Sequence, residues 1–328
     1  MQFTCMVFFF SLYLYYNNLI MELYIDKING DLAFNDATHK YFNVKYPERA
    51  YTSVTTLIGK YHEKFDAQFW SSYKALEALM GDEFIITGVK HELLNKKKWN
   101  DAYLDTFGIE KKVFVAKKEE ILEGYDKVRD EACERGTNYH NAKENRFYEK
   151  KEHLLTEYNF NLPLEGTFVC EKHNFDLNRE KAVLPEYLVY FSTQDAILNM
   201  AGQIDVLIKE GNDLYILDYK TNAKGIETKA YFDRKTKKKK KMLYPINHLD
   251  DTTLIHYTLQ LSLYAYMLQR INPEFNVKLL RICHVDGAGN ETLMDLEYLK
   301  DDVEKLLKHY KKELCIDYYR ATGKHLQD

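Results

Sequence analysis

The residues best suited to chemistry lie on two neighbouring apolar segments, residues 204–208 and 214–217, which are joined by the polar residues 209–213. Short apolar runs on either side of a polar loop predict an antiparallel hairpin, and Gly211 and Asn212 would form its tip. Each predicted strand contains one carboxylate where an apolar residue is expected. The hairpin therefore indicates a reactive site built on two strands.

The charged residues of this hairpin are Asp205 on the first strand and Asp218 and Lys220 on the second. Because strand side chains alternate, Asp218 and Lys220 point to one face, with their Cα atoms about 7 Å apart. Hard divalent cations need clustered oxygen ligands, and a metal hydrolase benefits from a nearby ammonium group that orients water or offsets phosphate charge. The alternative is a sheet edge whose charges face water, although Asp and Lys are depleted in strands.

His140 is a candidate metal ligand on a predicted helix over residues 125–149. It shares a helix face with Ala132, Gly136 and Glu144, since these residues follow one another at i+4 spacing. A glycine within a helix costs about 1 kcal/mol relative to alanine. A close approach of the helix to the sheet would offset that cost and bring His140 towards the hairpin. A single histidine is more often a core or surface residue, so this hypothesis depends on the carboxylates.

Glu186 is a candidate third acidic ligand. In the sequence PEYLVYFS, Pro185 marks the boundary of a strand that the apolar residues 188–191 predict. Glu186 is the first residue of that predicted strand. A glutamate at the end of a strand also occurs simply facing solvent, and the residues by themselves leave both readings open.

Gln260 and Tyr264 lie on a strongly predicted helix over Thr253–Ile271, which Pro273 ends. They are one turn apart on the same apolar face. A buried face that admits a glutamine indicates a polar role, such as a hydrogen bond to a phosphate or to a carboxylate of the site.

The most basic part of the chain is residues 222–249. Runs of lysines usually form solvated loops. This one follows Lys220 closely, so it is also well placed to hold a polyanionic backbone near the hairpin. We interpret the run as a contact to a nucleic-acid backbone. Its lysines are Lys237, Lys238, Lys239, Lys240 and Lys241.

Composition narrows the classes of protein that this chain can represent. With 328 residues and 45% hydrophobic content it can form one large domain or two ordinary ones, and this composition argues against global disorder. The net charge of −4 means that any nucleic-acid site must be a local basic patch. Its five cysteines form no CxxC pair, which argues against a disulfide scaffold, a zinc ribbon and an iron–sulfur cluster. Reduced thiols fit a cytoplasmic protein.

Residues 1–21 carry no charged side chain. A signal peptide would have a basic segment and a small-residue cleavage site, and neither is visible. Two interpretations remain. One is a short membrane anchor, interrupted by Asn17 and Asn18. The other, which we favour, is an upstream extension with Met21 as the working start, because the patterning of a water-soluble chain begins at Glu22.

Residues 22–328 are interpreted as a single domain, since no internal repeat and no clear linker divides them. Within it, residues 66–124 are predicted to be mostly helical and to form an insertion. A helix is predicted to start near Val54 with Ser53 or Thr52 as its cap. Further along, we predict a strand over residues 277–285 and a last helix over about 296–319.

Taken in chain order, these residues resemble the RecB-like branch of the PD-(D/E)XK nuclease superfamily. That branch includes helicase-linked exonucleases, CRISPR-associated exonucleases and many bacteriophage nucleases. The similarity covers about residues 35–285, and the five elements together are far more specific than the short DYKT motif alone. The matching positions are His140 in RGTNYH, Glu186 in PEYLVY, Asp205 in GQIDVL, Asp218 and Lys220 in DYKT, and Gln260 and Tyr264 in QLSLYAY.

The resemblance implies an α/β fold with a restriction-endonuclease-like core, in which helices flank a mixed central sheet, and with a helical N-terminal part. It implies that Glu186, Asp205 and Asp218 hold one or two Mg²⁺ or Mn²⁺ ions. His140 would be a further ligand, and the backbone carbonyl of Tyr219 would reach the metal.

The resemblance also assigns roles in DNA hydrolysis. Lys220 would position the attacking water or help to deprotonate it, while Gln260 and Tyr264 would steady the site and the DNA backbone. The expected activity is that of a metal-dependent deoxyribonuclease leaving 5′-phosphate and 3′-hydroxyl ends.

Within that activity, an exonuclease of phage-type recombination or DNA processing is favoured, in the cytoplasm, or in the host cytoplasm if the chain is phage-encoded. An endonuclease, a non-catalytic DNA-binding or assembly protein and a membrane-tethered protein remain alternatives. The iron–sulfur cysteines of some relatives are missing. No helicase motif is present, so a helicase or recombination partner would be a separate chain.

Overall fold

The computed structural model describes residues 25–46, 49–149, 168–172, 175–233 and 237–325. The apolar segment 1–21, predicted as an extension or anchor, lies outside the described residues. The chain forms two compact units, one within Met1–His62 and His140–Asp328 and the other within Glu63–Tyr139. The interpretation of residues 22–328 as one domain with an insertion over about 66–124 stays a prediction.

The first described elements of this unit form a small antiparallel sheet of strands β1 (Lys27–Asn29), β2 (Leu32–Asn35) and β3 (Lys40–Asn43). The short strand β4 (Thr52–Ser53) then leads into helix α1 (Val54–Ile58). The hydroxyl of Ser53 accepts a hydrogen bond of 3.0 Å from the backbone N–H of Thr56, so Ser53 is the N-cap that the sequence predicts.

The second unit is helical, as predicted for most of this segment, and has its own core of aromatic and aliphatic side chains. Helix α6 has no proline to interrupt it, so the helix predicted over residues 125–149 is the second half of a longer one that ends in the first unit. The helices are α2 (Ala67–Met80), α3 (Glu83–Ile86), α4 (Val89–Lys96), α5 (Ala102–Thr106) and α6 (Lys111–Glu149).

The rest of the first unit contains the central sheet and the helices that cover it. The remaining elements are, in chain order, β5 (Lys181–Ser192), β6 (Asn199–Glu210), β7 (Asp213–Lys220), β8 (Phe232–Asp233), β9 (Lys238–Lys239), α7 (Thr253–Ile271), β10 (Asn276–Val285), β11 (Glu291–Leu296) and α8 (Lys300–Thr322).

Six strands of the described residues form one mixed sheet in the order β11-β10-β7-β6-β4, with β5 also paired to β6. The predicted hairpin is present: β6 and β7 are antiparallel, and Gly211 at their turn has a φ of 59°, which glycine adopts at low cost. Strands β7 and β10 are parallel, so their connection must cross over the sheet, and α7 lies in it. The predicted mixed sheet flanked by helices is confirmed.

The bounds of helix α7 match the sequence prediction, and its central residues 258–265 are all buried. It contacts β5, β7 and β10 on the sheet as well as α1 and α8. Packing on several sides explains why Leu259, Leu263 and Met267 are all fully buried.

Two predicted boundaries are wrong. Strand β5 starts at Lys181 rather than at Glu186, because Pro185 is accommodated on a border strand, where a missing N–H does not interrupt the sheet. The last helix begins at Lys300 rather than near residue 296, because residues Glu291–Leu296 pair with β10 as strand β11.

Among the described residues, no helix combines the length and the apolar composition needed to cross a membrane.

Candidate active site

Asp205 and Asp218 lie at the point where the β6–β7 ladder ends. The last paired residues are Val206 and Leu217, so the two carboxylates come one position beyond the ladder. The backbone N–H of Tyr219 is released from that pairing and donates a 2.6 Å hydrogen bond to Asp205 Oδ2. Both carboxylates are buried, and the side chain of Asp218 is only 1% exposed. The divergence of two strands thus creates a buried acidic site, not a solvated sheet edge.

Lys220 is held against this acidic pair, as its spacing from Asp218 predicts. Its ammonium group forms an ion pair with Asp218 Oδ2 and lies 4.8 Å from the ring centroid of Tyr257. Burial by itself would lower the pKa of Lys220, but the charges of Asp218 and Asp205 outweigh it and leave the pKa raised. Lys220 therefore keeps its proton in the site.

His140 reaches the same site from the C-terminal half of α6. Its Nδ1 lies 3.5 Å from Asp205 Oδ1, and its ring meets the Tyr219 ring edge-on at 5.7 Å between centroids. Burial lowers the pKa of His140, and the charges of Asp218 and Glu186 only partly oppose that effect. The neutral imidazole that results is the form that binds metal ions.

Glu186 enters the site from β5 in an unusual backbone conformation. Its φ is 54°, a left-handed value that costs a residue with a Cβ on the order of 1–3 kcal/mol. The flanking residues Pro185 and Tyr187 pair with β6, but Glu186 and Asp205 do not pair with each other. Burial, and secondarily the charge of Asp205, raise the pKa of Glu186 to about 7. The local break in the ladder places a strained, buried carboxylate beside Asp205.

The side chains of His140, Glu186 and Asp205 form a group suited to a divalent cation. One ligand atom from each lies within 4.8 Å of the other two. Burial, followed by the charge of Asp218, raises the pKa of Asp205 well above its usual value. Buried carboxylates this close repel each other, and a bound cation would offset both the repulsion and the burial. These residues therefore fit the expected metal.

Asp218 adjoins this group without being part of it. Its Oδ2 faces Lys220, and its Oδ1 accepts a hydrogen bond of 3.4 Å from Gln260 Nε2. The backbone of Tyr219 forms hydrogen bonds with the side chains of Asp205 and His140. The structure thus brings together all five predicted ligand residues, of which three offer converging ligand atoms.

Gln260 and Tyr264 act on the site from α7. Gln260 Nε2 also donates a 3.0 Å hydrogen bond to the hydroxyl of Tyr264, and both side chains are buried. The ring of Tyr264 packs against Gly202, where an added Cβ would lie only 2.4 Å from Cε1 of that ring. This packing explains the glycine of GQID, three residues before Asp205. Both side chains already form hydrogen bonds within the protein, so the contact with DNA that the resemblance assigns to them stays a prediction.

Comparison with known families agrees with this geometry. A family model described as PD-(D/E)XK nuclease superfamily matches residues 111–323, more than half of the chain. The chain belongs to the PD-(D/E)XK nuclease superfamily. No curated protein matches it significantly. Membership of the superfamily supports a metal-dependent nuclease with DNA as its substrate, and PD-(D/E)XK nucleases use divalent metal ions.

The matched region of this PD-(D/E)XK chain includes every predicted site residue from His140 to Tyr264, but a further contact to the site comes from outside it. Lys27 on β1 places its ammonium 3.2 Å from Glu186 Oε2, and both side chains are nearly buried. Sequence reasoning missed Lys27, because a lysine on a three-residue strand carries no signal of its eventual partner. Burial, and secondarily the charge of Glu186, also raise the pKa of Tyr41 on β3.

The predicted DNA-contacting lysines fall into two groups. Lys239 and Lys241 form ion pairs of 3.6 and 2.6 Å with Asp250, and Lys240 forms one of 2.8 Å with Asp251. Lys237 and Lys238 are exposed at the turn of the β8–β9 ribbon, and neither is paired with an acidic side chain of the described residues. Among residues 237–241, Lys237 and Lys238 are therefore the lysines most available to a phosphate.

Proposed function

We propose that this chain is a metal-dependent DNA exonuclease of the RecB-like branch, which acts in phage-type recombination or DNA processing. The observation that carries the proposal is the buried group of His140, Glu186 and Asp205 beside the Asp218–Lys220 ion pair. The preference for an exonuclease rests on the resemblance of these residues, in order, to that branch.

The proposed ligands of Mg²⁺ or Mn²⁺ are His140, Glu186 and Asp205, completed by Asp218 and the backbone carbonyl of Tyr219. When bound, such an ion supplies positive charge for a phosphate oxygen and makes a water ligand more acidic.

Lys220 is proposed to position the attacking water or the scissile phosphate. Its raised pKa keeps it protonated, which favours hydrogen-bond donation over proton abstraction. In-line attack on the phosphodiester would leave a 5′-phosphate and a 3′-hydroxyl.

Gln260 is proposed to fix the orientation of Asp218, since its amide donates to Asp218 Oδ1. Tyr264 in turn accepts from Gln260 and fixes that amide. In this orientation, Oδ2 of Asp218 stays directed at the Lys220 ammonium group. A direct contact of Gln260 or Tyr264 with DNA would be an additional role.

Contact with the DNA backbone is proposed for residues 237–241, mainly through Lys237 and Lys238. A separate helicase or recombination protein as partner and a cytoplasmic location complete the proposal. An endonuclease of the same fold and a non-catalytic DNA-binding protein are the competing functions. The retained Asp218–Lys220 pair disfavours the second of these.

The experiment that separates these functions compares linear with covalently closed circular DNA, in the presence of Mg²⁺, Mn²⁺ or EDTA. We expect metal-dependent loss of linear DNA only. Lys220→Ala should lower the rate at least about 100-fold. Lys278→Ala, at a lysine near the start of β10 and far along the sheet from Lys220, is the matched control and should cleave normally.

The other outcomes of that experiment are equally informative. Nicking of circular DNA would replace the exonuclease with an endonuclease. Binding without any cleavage, with or without metal, would favour the non-catalytic function. Unchanged cleavage by Lys220→Ala would refute the proposed site.

A further inference from the structure

A second group of metal-binding side chains shares no residue with the candidate active site. It consists of His62, Asp251 and His256, and one ligand atom from each lies within 4.8 Å of the other two. Asp251 is buried, with a side chain only 3% exposed, and its Oδ1 lies 2.8 Å from His256 Nε2. The rings of His62 and His256 are 4.5 Å apart between centroids.

Backbone hydrogen bonds hold these three residues in place. Tyr61 O, next to His62, accepts a 2.7 Å bond from Leu243 N. Asp251 N donates a 3.0 Å bond to the carbonyl of Lys240, and His256 N donates to Thr252 O, which starts helix α7. The group is therefore assembled from three separate segments whose main chains are already fixed, as a preorganised site requires.

We propose that His62, Asp251 and His256 bind a transition-metal ion of the zinc class at a site distinct from the candidate catalytic centre. Two imidazoles and one carboxylate are a donor set typical of zinc sites with three protein ligands, which leave a further position for water. Mg²⁺ prefers oxygen ligands and retains several waters, so the two sites differ in the metal that they select.

Lys240 is a nearby cation that pairs directly with this group. Its Nζ lies 2.8 Å from Asp251 Oδ2, while Oδ1 faces His256. This ion pair occupies Oδ2 and leaves Oδ1 directed into the group. The side chain of Lys240 is 37% exposed, so its flexible stem can turn the ammonium towards solvent when a cation binds.

The test measures Zn²⁺ binding by equilibrium dialysis on the full chain, in a background that removes the candidate catalytic ligands. That background carries His140→Ala and Asp205→Asn. We expect it to retain one equivalent of Zn²⁺. Adding His62→Ala or His256→Ala should weaken binding by at least about tenfold. His91→Ala, at an exposed histidine of α4, is the matched control and should have no effect.

A second measurement guards against variants that fail to fold. Zn²⁺ should raise the Tm of the background variant, and this increase should disappear in the volume-conserving variant Asp251→Asn even when its far-ultraviolet circular dichroism is native-like. The absence of Zn²⁺ binding by the background variant would overturn the proposal, as would unchanged binding after loss of either histidine. Neither result bears on the proposed nuclease function, which is assayed separately with Mg²⁺ and an intact catalytic site.

Discussion

Glu186 is the residue whose local structure is hardest to explain without a function. It combines burial, a φ of 54° and a neighbouring carboxylate, each of which costs free energy in a strand. Lys27 offsets part of that cost through its ion pair with Glu186. A residue that is strained and acidic in this way is characteristic of a site whose geometry serves a bound ligand.

The raised pKa of Glu186 predicts a pH-dependent stability of the metal-free chain. The pKa rises from 4.5 to about 7, so the folded state binds this proton more tightly than the unfolded state does. The stabilisation is fully present below pH 4.5 and is lost as the pH rises through about 7. We expect the free energy of unfolding in EDTA to fall over that interval by an amount on the order of 3 kcal/mol. The Tm should fall with it.

Glu186→Gln should flatten this pH profile, because the amide does not titrate. Glu210→Gln, at the last residue of β6, is the control and should leave the slope unchanged. Equal slopes in the wild type and in Glu186→Gln would show that Glu186 is ionised in the folded protein throughout.

At the scale of elements, the packing of α7 on β6 determines how the site is built. Tyr264 occupies the space beside Gly202, and Gln260, one turn earlier, reaches Asp218. Because a single helix supplies both contacts, its distance from the sheet also sets the position of the Gln260 amide. The absence of a side chain at residue 202 is thus part of the architecture of the site.

Gly202→Ala should lower the free energy of unfolding by about 1–3 kcal/mol, since the new methyl group would overlap the Tyr264 ring. Denaturant unfolding measures this change. Gly287→Ala is the matched control, because an added Cβ there makes only ordinary contacts of 3.7 Å with Ala223. An equal effect at both glycines would refute the close approach of α7 to β6.

The lysines of the β8–β9 ribbon lead to a separate prediction about DNA binding. The double variant Lys237→Ala/Lys238→Ala should weaken binding uniformly across sequences and reduce the salt slope by about 0.9 for each phosphate that is no longer neutralised. Lys239→Ala/Lys241→Ala should change the slope less, because Asp250 already neutralises these lysines. Fluorescence anisotropy over a salt series measures both, and an unchanged slope in the first variant would identify the run as a solvated loop.

At the scale of the whole molecule, the net charge of −4 opposes association with DNA. Binding must therefore depend on local cations, which include exposed lysines and any metal held by the acidic site. The buried carboxylates repel each other in the metal-free fold, so an ion that binds them should stabilise the folded chain.

We therefore expect Mg²⁺ or Mn²⁺ to raise the Tm of the wild-type chain by an amount that grows with metal concentration. Asp205→Asn should reduce this increase and should also raise the metal-free Tm, because it removes one of the repelling charges. Differential scanning calorimetry measures both effects. A metal-induced increase that survives in Asp205→Asn would place the stabilising ion elsewhere.

Local chemistry determined much of this protein directly. Two short apolar runs on either side of a polar loop predicted the β6–β7 hairpin. The apolar periodicity with its terminating proline predicted α7 with its observed bounds. The spacing of Asp218 and Lys220 predicted their contact, since neighbours two apart on a strand share a face. These features depend on residues close together in the chain.

Tertiary structure alone decided what depends on distant partners. Lys27 meets Glu186 across 159 positions of sequence, and the positive φ of Glu186 arises from its place between paired neighbours on β5. The sequence likewise did not predict the packing of Gly202 against Tyr264 or the pairing of Asp250 with lysines of the basic run. The physical reason is that a side chain's partner, burial and pKa are properties of the folded neighbourhood, which sequence spacing constrains only along a single element.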